Sequence, residues 1–329
     1  TMKKVLALVM VLALALSFVA CGGGSSAGVK TGLAIVSSTS PKDASADGAG
    51  VAQVDSTAAA VLVDANGKIV ACKLDVAQNK VPVAADGTFD MNLTFQSKQE
   101  LKEGYNMKGA SPIGKEWYEQ ADAFAAYVIG KTAAEVEAIA VAGDHSGPDV
   151  ADLAATCTMN VVDFKAAIVE ACNNAQDLGA KADDTLGLGL STEMSSSSKA
   201  PDADGDGLVQ ADTTYAAVTY GKDGKITSAR VNATQAKFDV TAEGKVTAKG
   251  DIVPKMEQKD AYNMKGASPI GKEWFEQAGA FEAYAVGKTA AELAALPAGG
   301  HTTEPAADLA ATCTMDIAAF TDAISRAAA

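Results

Sequence analysis

Histidine and cysteine are scarce in this chain, which has two and five of them among 329 residues. No CxxC or CxxCH pattern occurs. Zinc, c-type haem and iron–sulfur sites take their ligands from these residue types, so we expect no metal site. The cysteines do not form a matched pair in each half of the chain, which argues against a disulfide framework.

Basic and aromatic residues are also few. The 27 Lys and Arg residues face 41 Asp and Glu residues, and the formal net charge is −14. This balance disfavours nucleic acid as a partner, and it disfavours a basic patch for anionic lipid. Aromatic residues make up 5% of the chain. An aromatic residue that recurs at a fixed position is therefore a candidate for the core or for a stacking site.

Long apolar runs are limited to one segment near the N-terminus. A lysine pair precedes apolar residues 5–20, a run that falls short of the ~20 residues of a membrane span and is typical of an export signal. The sequence Phe-Val-Ala-Cys ending at Cys21 resembles a bacterial lipobox. We expect residues 1–21 to be a lipoprotein signal and residues 22–46 to be a flexible tether. Acyl chains on Cys21 would hold the protein on the outer side of the cell membrane.

Two stretches of the chain occur twice. Residues 105–117 return residue for residue at 262–274, and residues 151–159 (ADLAATCTM) return at 307–315. A period this long indicates a duplicated domain, because solenoid repeats are ~20–50 residues long. What is identical in both copies serves either the fold or a site. The predicted domains are 47–175 and 204–329, joined by a linker at 176–203.

Each copy combines strands with helices. Alternating apolar residues at 51–63, an Asn-Gly turn and a second apolar run from Ile69 predict a β-hairpin. Helical spacing follows after residue 114, Thr132 and Glu135 form a predicted capping box, and a last helix is predicted from Met159 to Cys172. The predicted fold class is α+β, with two tandem domains that each place antiparallel strands before helices.

This order of elements, with an Asp six residues before a Thr at the entry to the last predicted helix, resembles the FMN-binding domain family. That family includes covalently flavinylated subunits of quinone and ferredoxin oxidoreductases and extracellular lipoproteins of Gram-positive bacteria. In it, a flavin transferase links FMN through its phosphate to a threonine hydroxyl. The resemblance implies Thr158 and Thr314 as acceptors. It also implies that Asp152 and Asp308 belong to the recognised motif.

Alternatives stay open at this motif. A second register of the family pattern makes Thr156 and Thr312 the acceptors instead. An FMN phosphate at the start of a helix would face free N–H groups and the positive end of the helix dipole. A threonine at that place also serves as an N-cap without any cofactor.

The repeated aromatic residues are the candidates for stacking on the flavin ring. They are Trp117 and Trp274, and Tyr105 and Tyr262. Their alternative role is in the core of a domain that has few aromatic residues.

The sequence therefore predicts a lipid-anchored electron-transfer protein that carries up to two covalent FMN groups. A flavin transferase would mature it, and it would connect a membrane electron donor to an extracellular acceptor or reductase. We expect a carrier and not a catalyst with its own substrate pocket, because no nucleophile–base–acid constellation is visible. The alternative is a duplicated surface lipoprotein without redox chemistry that binds a ligand or a partner.

Overall fold

The computed structural model describes residues 28–143, 147–299 and 306–329, and every structural statement below concerns those residues. Two antiparallel sheets, each followed by helices, confirm the α+β prediction. Repeat 1 contains β1 (Lys30–Thr39), β2 (Gly50–Val63), β3 (Ile69–Val83), α1 (Lys98–Leu101), α2 (Trp117–Tyr127), α3 (Ala133–Glu137), α4 (Ala151–Ala154) and α5 (Val162–Asn173). Repeat 2 contains β4 (Thr185–Met194), β5 (Gly207–Tyr220), β6 (Ile226–Val240), β7 (Val246–Ala248), α6 (Lys255–Gln258), α7 (Trp274–Ala285), α8 (Ala290–Ala294) and α9 (Ala318–Ala327).

The predicted hairpin and capping box are both confirmed. β2 and β3 pair antiparallel across the turn at Asp64, whose carboxylate accepts hydrogen bonds from the amides of Asn66 and Lys68. Gly67 has a φ of +75°, which an L-residue rarely adopts. At α3, the Thr132 hydroxyl accepts from the Glu135 amide, and the Glu135 carboxylate accepts from the Thr132 amide. Local sequence signals therefore determine these two features.

The prediction of a tether at 22–46 and a linker at 176–203 was wrong in part. β1 lies within the first range and β4 within the second, and each pairs along its whole length with the next strand. Both strands are buried on their two faces over much of their length, so they carry no alternation of apolar and polar residues. The alternating pattern that revealed β2 was therefore missing from β1 and β4.

Helices cover one face of each sheet. α5 packs on β1 and β2, and α9 packs on β4 and β5. α5 and α9 lie very close to the strands, because glycines of β1 and β4 face these helices. A Cβ atom at Gly32 would lie 1.9 Å from the Ala171 carbonyl oxygen, and a Cβ atom at Gly187 would lie 2.1 Å from that of Ala327. Glycine is thus required at these positions for contact between sheet and helix.

The other faces of the two sheets pack against each other. Along β2, Ala59, Val61 and Val63 point into the core beneath the helices of repeat 1. The residues between them, Ala58, Ala60 and Leu62, join Leu186, Tyr215 and Ala217 of repeat 2 in a core between the sheets. The layers therefore run helices, sheet, sheet, helices. Each repeat has a core beneath its own helices, and the two repeats share a further core between the sheets.

Hydrogen bonds cross between the sheets as well. The hydroxyls of Thr31 on β1 and Ser228 on β6 are 2.7 Å apart, and the Asn79 side chain donates to the Thr213 hydroxyl at 3.1 Å. Both hydrogen bonds join buried side chains of the two repeats, so they help to fix how one sheet is placed on the other. Within the described ranges, no helix has the length and apolar character needed to cross a membrane.

Candidate functional site

The two stretches that occur twice in the sequence meet at a buried glutamine. Gln120 on α2 is fully buried, and its amide nitrogen donates to the Ser111 hydroxyl at 3.0 Å and to the Lys115 carbonyl at 3.2 Å. Its amide oxygen accepts from the Thr158 backbone N–H at 2.8 Å and from the Thr158 hydroxyl at 3.2 Å. One side chain thus joins the 105–117 stretch to the 151–159 stretch.

Repeat 2 reproduces this arrangement. The Gln277 amide nitrogen donates to the Ser268 hydroxyl at 3.0 Å and to the Lys272 carbonyl at 3.2 Å. Its oxygen accepts from the Thr314 backbone N–H at 2.8 Å and from the Thr314 hydroxyl at 3.3 Å. Because the same five groups meet in both repeats, each repeat holds one candidate site centred on a threonine hydroxyl.

Sequence reasoning missed the glutamines. A signal was present, because Gln120 lies one helical turn after Trp117 on the face that Phe124 also occupies. A polar residue on an apolar helix face that returns in the second copy is a candidate for a buried hydrogen-bond network.

A buried glutamate holds the loop beside each site. Glu116 is the N-cap of α2, and its carboxylate accepts from the Met107 amide at 2.8 Å while its own amide donates to Glu119. In repeat 2, Glu273 accepts from the amides of Met264 and Lys265 at 2.8 and 3.2 Å. The loop from 106 to 115 is therefore tied at both ends, to Glu116 and to Gln120.

The last helix of repeat 1 begins later than the sequence predicts. α5 starts at Val162, so Thr158 lies four residues before it, and the N-cap is Val161. The Val162 amide is bonded to the Asn160 side chain at 2.9 Å. The structure therefore does not support either helix-based role of Thr158, as N-cap or as a phosphate anchor on the first amides of the helix.

The candidate threonines differ in exposure. Thr158 and Thr314 are half-buried, whereas Thr156 and Thr312 are exposed. The Thr156 hydroxyl donates to the Leu153 carbonyl at 3.1 Å, and the Thr312 hydroxyl donates to the Leu309 carbonyl at 3.2 Å. The threonines of both candidate pairs are therefore at least partly accessible to solvent.

The acidic residues near the sites are not fully equivalent. Asp152 and Asp308 are both exposed, and Asp308 accepts a hydrogen bond from the Tyr284 hydroxyl at 3.0 Å. The amide at the start of α9 is bonded to the Asp316 carboxylate at 2.9 Å, where repeat 1 has neutral Asn160. An anionic group on Thr314 would therefore lie near a like charge that Thr158 lacks.

The two tryptophans belong to the cores. Trp117 is 4% exposed and meets Phe164 edge-on with ring centroids 5.8 Å apart, and Trp274 meets Phe320 at the same distance. The structure thus gives neither indole an open face for a flavin ring, which corrects the stacking assignment for this pair.

The two candidate tyrosines are less buried than the tryptophans. Tyr105 is half-buried, 6.5 Å from Trp117 between ring centroids, with the Lys98 ammonium 4.6 Å from its own ring. Tyr262 has the same cation–π contact from Lys255 at 4.6 Å. Of the four aromatic candidates, these two are the ones placed near solvent.

The repeated cysteines are core residues. Cys157 and Cys313 are fully buried, and burial raises the pKa of both thiols. The described residues contain no group of three or more His, Cys, Asp or Glu side chains arranged for a metal ion. Cys21 and both histidines lie outside the described residues.

Comparison with known proteins gives one partial likeness. The chain is 35% identical over 94 residues to a chlorophenol reductase of Desulfitobacterium hafniense, and the match covers 25% of this chain and 29% of that protein. The chain therefore spans less than a third of the length of this curated relative. No family model and no solved structure matches.

Proposed function

We propose that this protein is a lipid-anchored electron-transfer protein that carries FMN covalently on Thr158 and Thr314. The observation that supports this most is that a buried glutamine joins the two repeated stretches in each repeat and accepts a hydrogen bond from the threonine hydroxyl. The surface-exposed part of the 105–117 stretch is identical in both repeats, although nearby core positions differ. Packing alone does not require that identity.

The hydrogen bonds around Thr158 are compatible with a phosphodiester at its hydroxyl. Esterification removes the hydroxyl hydrogen and so ends the longer bond to Gln120, at 3.2 Å. The shorter bond from the Thr158 backbone N–H, at 2.8 Å, is retained and keeps the residue in place. Gln120 itself stays fixed through Ser111 and Lys115. A phosphodiester on Thr158 would therefore leave the other hydrogen bonds of the site in place.

When bound, FMN would supply the redox chemistry, and the protein would supply attachment and surroundings. Gln120 orients Thr158, Glu116 shapes the adjoining loop, and Tyr105 is half-buried. Neutral Asn160 beside Thr158 suits an added phosphate better than Asp316 beside Thr314. We therefore expect Thr158 to be loaded at least as completely as Thr314.

The proposed location and partners of the protein rest on the lipobox-like sequence at Cys21 and on the two candidate sites. Cys21 would carry the acyl anchor, and a flavin transferase would attach FMN after export. Two cofactors on one tethered chain suit a relay between a membrane electron donor and an extracellular acceptor or reductase. The curated relative is named a reductase, which favours redox chemistry over a binding module.

Intact mass tests the proposal. The exported protein, produced with an active flavin transferase, should gain two FMN-sized increments, and the pair Thr158→Ala and Thr314→Ala should remove both. If the increments persist in that variant and disappear with Thr156→Ala and Thr312→Ala, attachment moves to the second pair.

A matched control uses threonines away from the sites. Thr132→Ala and Thr289→Ala remove two capping hydroxyls and should leave both mass increments in place. A wild type without any increment, beside a control substrate that the transferase modifies, would overturn the redox proposal. The duplicated binding module would then be the better explanation.

A further inference from the structure

Repeat 1 has two cysteines that repeat 2 lacks. Cys72 lies on β3 and Cys172 lies in the last turn of α5, and both are free thiols in this structure. The offsets of the two repeated stretches place Ala229 and Ala328 at the equivalent positions of repeat 2. The two cysteines are thus present together in one copy and replaced together in the other, which is the pattern of residues that contact each other.

The strand register places both cysteines near one row of residues. Gly32 of β1 pairs with Val61 of β2, and Val61 pairs with Cys72. The end of α5 lies over this row, because a Cβ atom at Gly32 would clash with the carbonyl of Ala171. Cys172 is the next residue of the helix. The fold therefore brings the end of α5 to the part of the sheet that contains Cys72.

The two side chains also share one face of the sheet. Paired residues of neighbouring strands point to the same face, so Cys72 points toward the helices, as Val61 does. Cys72 and Cys172 both pack against the core beneath the helices of repeat 1, and both are half-buried. Burial is the main cause that raises the pKa of Cys72, and the thiol of Cys172 raises it further. The two thiols are thus close enough to interact.

Repeat 2 has the same row with alanine at both ends. Val218 pairs with Gly187 and with Ala229, and a Cβ atom at Gly187 would clash with the carbonyl of Ala327, which precedes Ala328. The same contact between helix and sheet therefore forms without either cysteine. Packing alone does not require the thiols of repeat 1.

We propose that Cys72 and Cys172 form a disulfide that fastens the end of α5 to the sheet of repeat 1. The oxidant is a small disulfide such as oxidised glutathione. The thiolate of one cysteine attacks this disulfide, forms a mixed disulfide and releases one thiol. The thiolate of the other cysteine then attacks the mixed disulfide and releases the second thiol. The two cysteines lose two protons and two electrons, and the oxidant gains both.

The bond would act on the segments that form the first candidate site. It closes a loop of about 100 residues, which includes Gln120 and Thr158. A cross-link constrains the unfolded chain, and a longer loop is constrained more. The bond should therefore stabilise repeat 1. One bond in repeat 1 is not the matched framework that the sequence argues against, and it depends on neither the proposed flavin nor the proposed anchor.

Oxidative refolding tests the pair. The reduced full chain is unfolded in urea and refolded with reduced and excess oxidised glutathione, so that burial does not shield the thiols. A digest without reducing agent should contain one fragment that joins the peptides of Cys72 and Cys172, about tenfold more abundant than any other joined pair. The oxidised chain should unfold at a higher urea concentration than the same chain after reduction.

The variants copy residues that repeat 2 already has. Cys72→Ala and Cys172→Ala should each fold, remove the joined fragment and abolish the difference in urea midpoint between oxidised and reduced chain. Cys157→Ala is the matched control, because it removes another cysteine of repeat 1 and should leave the joined fragment in place.

Three results would overturn the proposal. In the first, Cys72 and Cys172 each carry glutathione and no joined fragment forms. In the second, both thiols stay free after refolding with excess oxidant. In the third, the joined fragment forms but lowers the urea midpoint, which would show that the bond distorts the contact between α5 and the sheet.

Discussion

Gln120 and Gln277 use all four hydrogen-bonding positions of their side-chain amides. A buried amide that is fully satisfied orients its neighbours more firmly than an exposed one, because no water competes for its partners. The repeated ADLAATCTM stretch indicated the region of each site but left both of its threonines open as candidates. It did not indicate the glutamine partner, since nothing in a local pattern shows which distant segment a buried amide meets.

Asp75 is a single residue whose ionisation should alter the stability of the fold. It is buried on β3, and burial is the main cause that raises its pKa to about 7, with Glu100 adding to the effect. Hydrogen bonds from Ser97 and from the amides of Gln99 and Val76 oppose the shift. The folded pKa thus lies above the unfolded value near 3.8.

Neutral Asp75 consequently stabilises the fold at low pH, and this contribution is lost as the pH rises from about 4 to about 7. Asp75→Asn should remove this loss, so that its free energy of unfolding exceeds that of the wild type by on the order of 4 kcal/mol at pH 8 and by little at pH 4. Repeat 2 already has Asn232 there, and its amide donates to Glu257 at 3.0 Å. Urea unfolding at pH 4, 6 and 8 measures the difference.

Asp64→Asn is the control for this pH dependence. Asp64 is exposed, and the amide of Lys68 holds its pKa below the usual value, so its linkage to pH has the opposite sign. The decline in stability toward pH 8 should persist in that variant. A stability difference between Asp75→Asn and wild type that stays constant from pH 4 to pH 8 would contradict the assigned ionisation.

Elements with strong local signals were predictable and those defined by packing were not. The capping box of α3, the β2–β3 turn and the apolar face of α2 all follow from spacing within a few residues. β1 and β4 were hidden because their two faces are both buried. The start of α5 was misplaced because the chain from Cys157 to Val161 packs into the core without being helical.

The contact between β1 and α5 gives a prediction for these elements. Gly32→Ala places a methyl group against the Ala171 carbonyl, so the helix must shift away from the sheet. Such overpacking costs about 1–3 kcal/mol. Gly48→Ala is the control, because nothing lies within 4 Å of the added Cβ atom. Urea denaturation should show a clear loss for the first variant and almost none for the second.

At the scale of the whole molecule, the shared core between the sheets ties the repeats together. Tyr215 of β5 is fully buried there beside Ala60 and Leu62 of β2. The duplicated sequence could not reveal this contact, because each repeat shows the same apolar residues whether its sheet packs on a partner or not. The structure therefore leads us to expect that repeat 1 and repeat 2 unfold together, in one transition.

The two tryptophans allow that expectation to be measured, because each repeat contains one. In a Trp274→Phe background, fluorescence reports on Trp117 of repeat 1, and in a Trp117→Phe background it reports on repeat 2. Leu293→Ala, a buried truncation in α8 of repeat 2, should cost about 2–5 kcal/mol. If the shared core couples the repeats, this change lowers the midpoint of both signals by the same amount. A shift confined to Trp274 would show that the repeats unfold separately and that contact between the sheets adds little to their stability.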